Sequence, residues 1–370
     1  MDYIPQVYDA WIAAAEIPYE WLIPLLHTAG SSAAVWTALL ERKEPMDDMI
    51  PESCRGKLIS LARIEQMDKF ASLVEKHGIK SFTILDAAYP HCLRELPDPP
   101  GILFYKGDPD TLEAPKKAAM IGSRTASYAG MKAAKKISKE LSEKGVVIIS
   151  GLAYGIDSEC HRGCLEGGSP TVAVMGCGLD QTYPSGNEQL KQEILRKGGT
   201  ILSEYAPGVR PIGYHFPVRN RIISGLGNPV ICMEAKIRSG SMTTIGHALQ
   251  QGKDVYAYPG DPASPMTEGN KLLLREGARY FTEAKDILED MGWLDNAVQD
   301  VQNSGVYRVI PENPDEAAVF RALLKGSLGF DELIQATGLA APQLMGTLTV
   351  MQIRKSIEAL PGKRYQLIQI

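Results

Sequence analysis

A chain of 370 residues, 44% hydrophobic and 22% charged, has the composition of a globular protein in water and is too long for one ordinary hydrophobic core. The formal net charge of −5 excludes a surface that is basic throughout, so a nucleic-acid site must be a local patch. Residues 201–280 supply one, with nine Lys and Arg against six Asp and Glu. Irregularly spaced cysteines, no signal-peptide pattern and no apolar run of ~20 residues predict a reduced, cytoplasmic protein.

The first part of the chain predicts helices. Apolar residues recur at helical spacing around Trp11, Leu22 and Val35, with a break near Gly30. Short helices of this kind are typical of sterile-alpha-motif or helix-hairpin-helix modules. We therefore assign residues 1–80 to a small all-α domain.

Short apolar strands then alternate with helices, after a proline-rich stretch that predicts an extended connector ending near Tyr105. Continuous apolar strands separated by helices predict a doubly wound, mostly parallel sheet that is buried on both faces. Ligands of such sheets bind at the carboxyl ends of the strands. We assign residues 81–292 to this α/β domain. The predicted strands lie at about 118–121, 146–149, 171–175, 200–203, 230–234 and 254–258.

The end of the chain predicts a separate module. Polar residues at 293–314 indicate a linker. Three short helices and a β-ribbon over 315–370 are the pattern of a winged helix, a helix-turn-helix variant.

Two turns at strand ends carry groups suited to anions. In Gly122-Ser123-Arg124, glycine allows a sharp turn and Arg124 can hold a phosphate with two donors. Ser239-Gly240-Ser241 leads into a helix predicted over 242–250, with Ser241 as the expected N-cap. Hydroxyls and free N–H groups at a helix N-terminus bind anions.

A third segment, Phe216-Pro217-Val218-Arg219-Asn220-Arg221, places one ring beside two guanidinium groups. Pro217 predicts a helix start, with Phe216 at its mouth and Arg219 and Arg221 projecting from the first turns. A ring that stacks on a base beside cations that hold phosphates is the unit of a single-strand nucleic-acid site. On this segment alone, a core phenylalanine with two solvated arginines accounts for the residues equally well.

Several common sites are missing from the sequence. No strand is followed by Gly-x-Gly-x-x-Gly or a Walker A lysine, and no serine has the bracket of a nucleophile elbow, so we expect no cofactor and no catalytic residue. Cys160, His161 and Cys164 lie on one predicted helix, where packing accounts for them better than a metal does. Asp157 is expected to cap that helix.

Together these loops resemble the DNA-processing protein family DprA, also called Smf. The motifs match in order over about residues 85–290. They are Gly122-Ser123-Arg124, 150–157 with His161-Arg162-Gly163, 176–180 with Tyr183-Pro184, Phe216-Pro217 with Arg219-Asn220-Arg221, Glu234-Ala235 with Ser239-Gly240-Ser241, and Pro259-Gly260 with 268–270. The helical start and winged-helix-like end are similar to those of many members.

The resemblance implies an extended Rossmann-like domain that binds single-stranded DNA, without catalysis or a cofactor. It implies a homodimer that protects incoming strands in natural transformation and loads the RecA recombinase on them. The DNA-binding residues it implies are Gly122, Ser123, Arg124, Phe216, Arg219, Asn220, Arg221, Ser239, Gly240 and Ser241.

The chain departs from the family pattern at two places. Members often carry a basic residue three positions before the phenylalanine, where this chain has Gly213, so one phosphate contact is missing or comes from elsewhere, for example from Arg210. Members often carry alanine at the positions of Cys160 and Cys164, which favours packing of these thiols.

Two other functions fit parts of the sequence. A nucleotide phosphoribohydrolase on a related scaffold has Pro-Gly-Gly-x-Gly-Thr followed by a glutamate, but the corresponding loop here is 239–244, Ser-Gly-Ser-Met-Thr-Thr, without that glutamate. A transcription regulator is indicated only by the C-terminal module.

Overall fold

The structure is a computed structural model that describes residues 3–43, 46–261, 263–294, 313–323, 326–360 and 364–368. It forms two compact units, Met1–Ile287 and Leu288–Ile370. The predicted boundary at residue 80 lies within the first unit, and most of the predicted linker 293–314 lies outside the described residues. The domain boundaries therefore stay predictions.

Six helices open the first unit, which confirms the predicted helical start. Trp11 is fully buried among them, and its indole N–H donates to the carbonyl of Leu58 at 3.0 Å. Among the described helices none alone is long and apolar enough to cross a membrane, and α2 with α3 reaches that length and composition only as a pair bent by 89°. The helices are α1 (Pro5–Ala14), α2 (Tyr19–Ala29), α3 (Ser32–Glu41), α4 (Met46–Met49), α5 (Glu52–Leu61) and α6 (Ile64–His77).

A nine-stranded sheet follows, with the order β1-β2-β6-β5-β4-β3-β7-β8-β9. From β6 to β9 all neighbours are parallel, which confirms the predicted doubly wound, mostly parallel sheet. The expected connector instead ends in β2, which joins the sheet antiparallel to β6 and is itself flanked by the antiparallel edge strand β1. The strands are β1 (Lys80–Thr83), β2 (Ile102–Gly107), β3 (Lys117–Gly122), β4 (Val147–Ser150), β5 (Thr171–Met175), β6 (Thr200–Ser203), β7 (Val230–Glu234), β8 (Val255–Ala257) and β9 (Arg279–Tyr280).

Helices connect these strands and cover the sheet. Helix α8 packs on α9, and α11 packs on α12. The strands β4, β5, β6 and β7 are buried along their whole length, as expected for strands covered on both faces. The helices are α7 (His91–Arg94), α8 (Tyr128–Ser142), α9 (Ile156–Gly167), α10 (Glu188–Arg196), α11 (His215–Leu226), α12 (Gly240–Gln250), α13 (Glu268–Arg275) and α14 (Ala284–Asp290).

The strand order reverses between β3 and β7. From β3 the chain moves outward on one side through β4, β5 and β6, and from β7 it moves outward on the other through β8 and β9. At such a switch point the connections after the two central strands diverge and leave a crevice at their carboxyl ends. The loop after Gly122 and the loop after Glu234 therefore border one crevice.

The second unit has the element order of a winged helix, which confirms that prediction. Phe320, Leu333, Leu344 and Leu348 form its core. Its three strands are antiparallel in the order β10-β12-β11. The elements are α15 (Pro314–Leu323), β10 (Leu328–Gly329), α16 (Phe330–Thr337), α17 (Ala341–Ile353), β11 (Ile357–Leu360) and β12 (Arg364–Leu367).

Candidate nucleic-acid interface

A cavity of about 520 Å³ opens at the switch point between β3 and β7, and we call it the switch-point cavity. Its walls are the loop after β3, the first turns of α11, the loop after β7 with the start of α12, and Tyr183. All of the predicted DNA-binding residues line it except Arg221. Those present are Gly122, Ser123, Arg124, Phe216, Arg219, Asn220, Ser239, Gly240 and Ser241.

The loop after β3 is held by backbone contacts. The N–H of Ser123 donates to the carbonyl of Glu234 at 2.7 Å, and the Ser123 hydroxyl accepts from the N–H of Thr125 at 3.2 Å. Gly155 approaches this loop so closely, at φ 75°, that a Cβ would lie 2.3 Å from the Ser123 carbonyl oxygen. Because the backbone is fixed on both sides, the exposed Arg124 extends from a rigid base.

Phe216 is half-buried, with Arg124 and Tyr183 beside its ring. The guanidinium carbon of Arg124 lies 5.3 Å from the ring centroid, within cation–π range, and the ring of Tyr183 lies at 5.1 Å, tilted by 35°. A Cβ on Gly176 would approach the ring edge to 2.9 Å, so a glycine is needed beneath it. Arg124 makes no hydrogen bond or ion pair with any described residue, so its donors are open to a ligand.

Arg219 has a different placement from the one the sequence predicts. Its side chain is buried rather than projecting, and it donates to the carbonyl of Gly151 at 3.1 Å and to that of Val174. Burial lowers the pKa of Arg219 to about 10, while Asp157 opposes the shift, so the group stays charged at neutral pH. Arg219 therefore joins the ends of β4 and β5 beneath the cavity.

Asp157 lies beside this guanidinium and does not cap α9 in the expected way. Gly155 precedes the helix, and the Asp157 carboxylate accepts from the N–H groups of Gly151 and Ala153 at 3.1 and 3.4 Å. Burial raises the pKa of Asp157, and Arg219 opposes that rise. The pair holds the turn after β4 in place.

Arg221 points to the opposite side of α11. It donates to both carboxylate oxygens of Glu204, at 2.8 and 2.6 Å, and forms an ion pair with Asp98 at 2.9 Å. The predicted projection toward the ligand therefore does not occur, because two carboxylates on other elements occupy its donors. Asn220 faces the cavity, and its amide donates to the carbonyl of Gly240 at 3.1 Å.

The start of α12 forms the opposite wall. The residue at the N-cap is Ser239, not Ser241, and its hydroxyl donates to the carbonyl of Lys236 at 2.8 Å instead of accepting from the helix. The first-turn N–H groups thus receive no side-chain cap, and the first turn contains no acidic residue. A helix N-terminus in this state favours an anion, and Lys236, which is exposed, lines the same cavity.

Gly213 stands at the rim, exposed and lining the cavity. A Cβ there would meet no atom within 4 Å. Arg210 is also exposed but does not line the cavity. The missing basic side chain therefore leaves open space at the rim.

Two aromatic residues were not among the predicted site residues. Tyr183 lines the cavity, and Tyr154, which is 50% exposed, borders a small adjoining recess with Arg124 and Phe216. Their position in loops after β4 and β5 is the signal that could have identified them, since the ends of parallel strands meet at one edge of the sheet.

The thiols of α9 pack in the interior. Cys160 and Cys164 are fully buried, and His161 Nδ1 lies 2.8 Å from the hydroxyl of Thr171. Burial lowers the pKa of His161 to about 3, so the ring is neutral. Across the described ranges, no three His, Cys, Asp or Glu side chains are grouped to hold a metal ion.

Comparison with known families gives two matches. The family model described as DNA recombination-mediator protein A matches residues 80–292, more than half of the chain. A second model, the DprA winged helix domain, matches residues 309–363. The first of these two matches covers every residue that lines the switch-point cavity.

Individual relatives agree with these models. DNA processing protein DprA of Streptococcus pneumoniae is 43% identical over 64% of this chain and 83% of its own, and protein Smf of Escherichia coli is 35% identical over 74% of each. The X-ray structure of the S. pneumoniae protein superposes with a TM-score of 0.65 at 34% identity, over 78% of this chain and 99% of that one. A structure of DNA processing protein A from Helicobacter pylori, described for its single-stranded DNA binding mode, superposes with a TM-score of 0.53 at 30% identity. The superposition covers 58% of this chain and 95% of that one. The chain belongs to the DNA recombination-mediator protein A family, which includes the DprA and Smf proteins.

Proposed function

We propose that the chain binds single-stranded DNA in the switch-point cavity. The observation that carries the proposal is the half-buried ring of Phe216 beside the open guanidinium of Arg124, facing the uncapped start of α12. A ring supplies a stacking surface for any base, and the two positive groups supply phosphate contacts. The relative from H. pylori, whose structure is described for single-stranded DNA binding, supports it.

The contacts divide between the cavity residues. The base stacks on Phe216, while Arg124, Lys236 and the N–H groups of Gly240 and Ser241 hold phosphates. Arg219 and Asn220 act as positioning residues, because Nη1 of Arg219 and the amide of Asn220 donate to backbone carbonyls, and Nε of Arg219 donates to Asn220. Since none of these contacts depends on the edge of a particular base, binding is tolerant of sequence.

We further propose the role of recombination mediator: a homodimer, without catalytic activity, that protects incoming strands in natural transformation and loads RecA on them. Membership of the family supports this role. The absence of a glutamate from the loop 239–244 argues against the phosphoribohydrolase alternative. All six cysteines are free thiols, which supports a cytoplasmic location.

DNA binding is tested by titrating the protein into a labelled oligothymidylate of about 20 nucleotides at several salt concentrations. The substitution Arg124→Ala removes one phosphate contact. It should lower the affinity for the oligothymidylate roughly tenfold, because a charge-assisted hydrogen bond contributes about 1.5 kcal/mol. The slope of log affinity against log salt becomes shallower by about 0.7. The control Arg196→Ala removes an exposed arginine at the end of α10. Equal loss in both variants contradicts the assignment of the cavity.

The mediator role needs a separate measurement. The protein is added to RecA and single-stranded DNA that is covered by a single-strand-binding protein, and the assembly of RecA is followed by its DNA-dependent ATP hydrolysis. We expect faster assembly with the native chain than with Arg124→Ala. Release of free base from nucleoside monophosphates favours the phosphoribohydrolase instead. Sedimentation velocity decides between monomer and dimer.

A further inference from the structure

A second cavity, of about 310 Å³, lies on the opposite side of α11 from the switch-point cavity. It forms where the turn between α1 and α2 meets β2 and the residues after β6, and we call it the acidic cavity. Its walls are largely apolar and aromatic, with Ile17, Leu22, Tyr205 and Val218 among them. Among the described residues, none lines both cavities.

The charged groups in the acidic cavity are mostly carboxylates. Glu16, Asp98 and Glu204 line it, with Arg221 as the basic residue among its described lining side chains. Arg221 is held by Glu204 and Asp98 and is only 5% exposed, so it cannot turn toward a ligand. Oε2 of Glu16 pairs with Lys57 at 2.9 Å, while Oε1 lies on the side of His215, which also lines the cavity. Three carboxylates against the two cations Arg221 and Lys57 leave a net charge of about −1 at the cavity, which favours a cationic ligand.

His215 lies at the floor of the acidic cavity and is fully buried. Neither ring nitrogen makes a well-formed hydrogen bond with a described residue, although the backbone of Gly176 lies close enough to favour the protonated ring. The ring stacks on Tyr205, with 3.9 Å between the ring centroids. Burial lowers the pKa of His215, and Glu16 opposes that shift. A neutral imidazole offers one donor and one acceptor, and the backbone carbonyl of Gly176 can serve only the donor, so the acceptor nitrogen is left without a partner among the described residues. A buried acceptor in this state takes a polar partner from outside the chain, either a water molecule or a ligand.

The position of Glu16 completes the arrangement. Its free oxygen Oε1 lies 3.8 Å from Nε2 of His215, too far for a hydrogen bond between them. A single nitrogen atom can lie about 2.9 Å from both atoms at once. The Glu16 side chain is 44% exposed, so it can turn to admit such a group.

We propose that the acidic cavity binds a small organic cation, an ammonium or amidinium group attached to a flat apolar part. The cationic nitrogen donates to Glu16 and His215, and the apolar part packs against Tyr205 and Val218. The volume is at the lower end of the range for small-molecule sites, which fits a ligand of about ten heavy atoms. This site does not depend on the proposed DNA binding.

The full-length native chain tests the proposal with three probes of matched size: 2-phenylethylammonium, neutral 2-phenylethanol and anionic phenylacetate. Binding is measured by titration calorimetry and ligand-observed NMR at neutral pH. We expect saturable binding of the cation, binding of the alcohol at least tenfold weaker, and none of the acid. No saturable binding of the cation, or equal binding of the three probes, overturns the proposal, and neither result requires a variant to fold.

A matched pair of variants then locates the site. Glu16→Gln removes the free carboxylate and lowers affinity for the cation about tenfold, which corresponds to about 1.4 kcal/mol. Glu20→Gln, an exposed glutamate that does not line the cavity, leaves the affinity unchanged. Equal affinity in Glu16→Gln and the native chain overturns the assignment, provided that circular dichroism shows both variants folded.

Discussion

Phe216 combines two properties that are usually separate in aromatic residues. Its ring edge packs against Gly176 and Tyr183, as in a core residue, but part of the ring remains exposed to the switch-point cavity. The packing restricts the ring before any ligand arrives. A base that stacks on it therefore does not have to order a mobile side chain first.

Replacing the ring by an aliphatic side chain separates stacking from packing. Phe216→Leu keeps most of the apolar volume but loses the flat surface, so affinity for oligothymidylate should fall by about 1–3 kcal/mol, or roughly 5- to 150-fold. The salt slope stays unchanged, because no phosphate contact is lost. Phe216→Tyr, which keeps the ring, serves as the control in the same titration. If leucine and tyrosine bind equally well, Phe216 does not stack on a base.

Gly213 offers a gain of function at the rim of the cavity. Since a side chain there meets no atom within 4 Å, Gly213→Lys can extend into the cavity without strain and add one phosphate contact. We expect affinity to rise several-fold, about 1 kcal/mol, and the salt slope to steepen by about 0.7. Gly213→Gln provides the same length without charge. If the affinity rises equally in the lysine and glutamine variants, or does not rise in the lysine variant at low salt, no phosphate lies at this position.

At the scale of elements, α11 shows why the sequence predicts the site only in part. Phe216, Asn220 and Ile223 are spaced to share one helical face, which is the face that borders the switch-point cavity. Arg219 and Arg221 are two positions apart and point in different directions, because 3.6 residues make one turn. The helical period alone could therefore have shown that both arginines cannot project into one site.

The placement of Arg221 and the pairing of β2 depend on contacts between parts of the chain that are distant in sequence. The carboxylates that hold Arg221 come from residues 17 and 123 positions away, and no local pattern identifies them. The strands of the parallel sheet are predicted well, because continuous apolar runs between helices are typical of strands that are covered on both faces. Strand β2 follows a proline-rich stretch and joins the sheet antiparallel, so its pairing with β6 could not be inferred from spacing.

The buried His161 on helix α9 should make the free energy of unfolding depend on pH in the acidic range. The pKa of His161 is about 3 in the folded chain, against an ordinary value of 6.5. Between these values the unfolded chain binds a proton that the folded chain excludes, so the free energy of unfolding falls as pH decreases below about 6.5. One such group contributes about 1.4 kcal/mol per pH unit, or roughly 2 kcal/mol between pH 7 and pH 5.

The variant His161→Asn tests this slope. Asparagine can keep the hydrogen bond to Thr171 but does not titrate, so the cost of its smaller volume is the same at both pH values. Urea unfolding should show a smaller loss of stability between pH 7 and pH 5 in the variant than in the native chain, by roughly 2 kcal/mol. His91→Asn, at a side chain that is 76% exposed, is the control. A slope unchanged by His161→Asn means that burial does not lower the pKa of His161 and that the ring takes up its proton alike in the folded and unfolded chain.

At the scale of the whole molecule, the positive groups that are open to phosphates are local, and the two units differ in how many they offer. The net charge is −5, so affinity for nucleic acid has to come from local groups. The switch-point cavity combines Arg124, Lys236 and a helix N-terminus. In the second unit, Arg354 pairs with Glu316 and Arg364 with Glu332, both at 3.2 Å, so these cations are already neutralised.

Helix α17, which occupies the place of the recognition helix in a winged helix, contains no Lys or Arg in its 13 residues. Met345 and Ile353 on it are 60% and 77% exposed. A helix that enters the major groove needs cations for the phosphates and polar groups for the base edges. Helix α17 exposes polar groups, Gln343, Thr349 and Gln352, but offers no cation for a phosphate, so we expect the second unit to add little affinity for duplex DNA.

Competition between the two forms of DNA tests this expectation in the full chain. Unlabelled oligothymidylate should displace the labelled strand at a concentration at least tenfold lower than a duplex of equal length, at roughly physiological salt. The stacking surface of Phe216 needs an unpaired base, and a duplex offers one only at the cost of unpairing. Equal competition by the duplex means that phosphate contacts alone account for binding, or that the winged helix takes double-stranded DNA. Phe216→Leu separates these outcomes, since it weakens only the binding that depends on stacking.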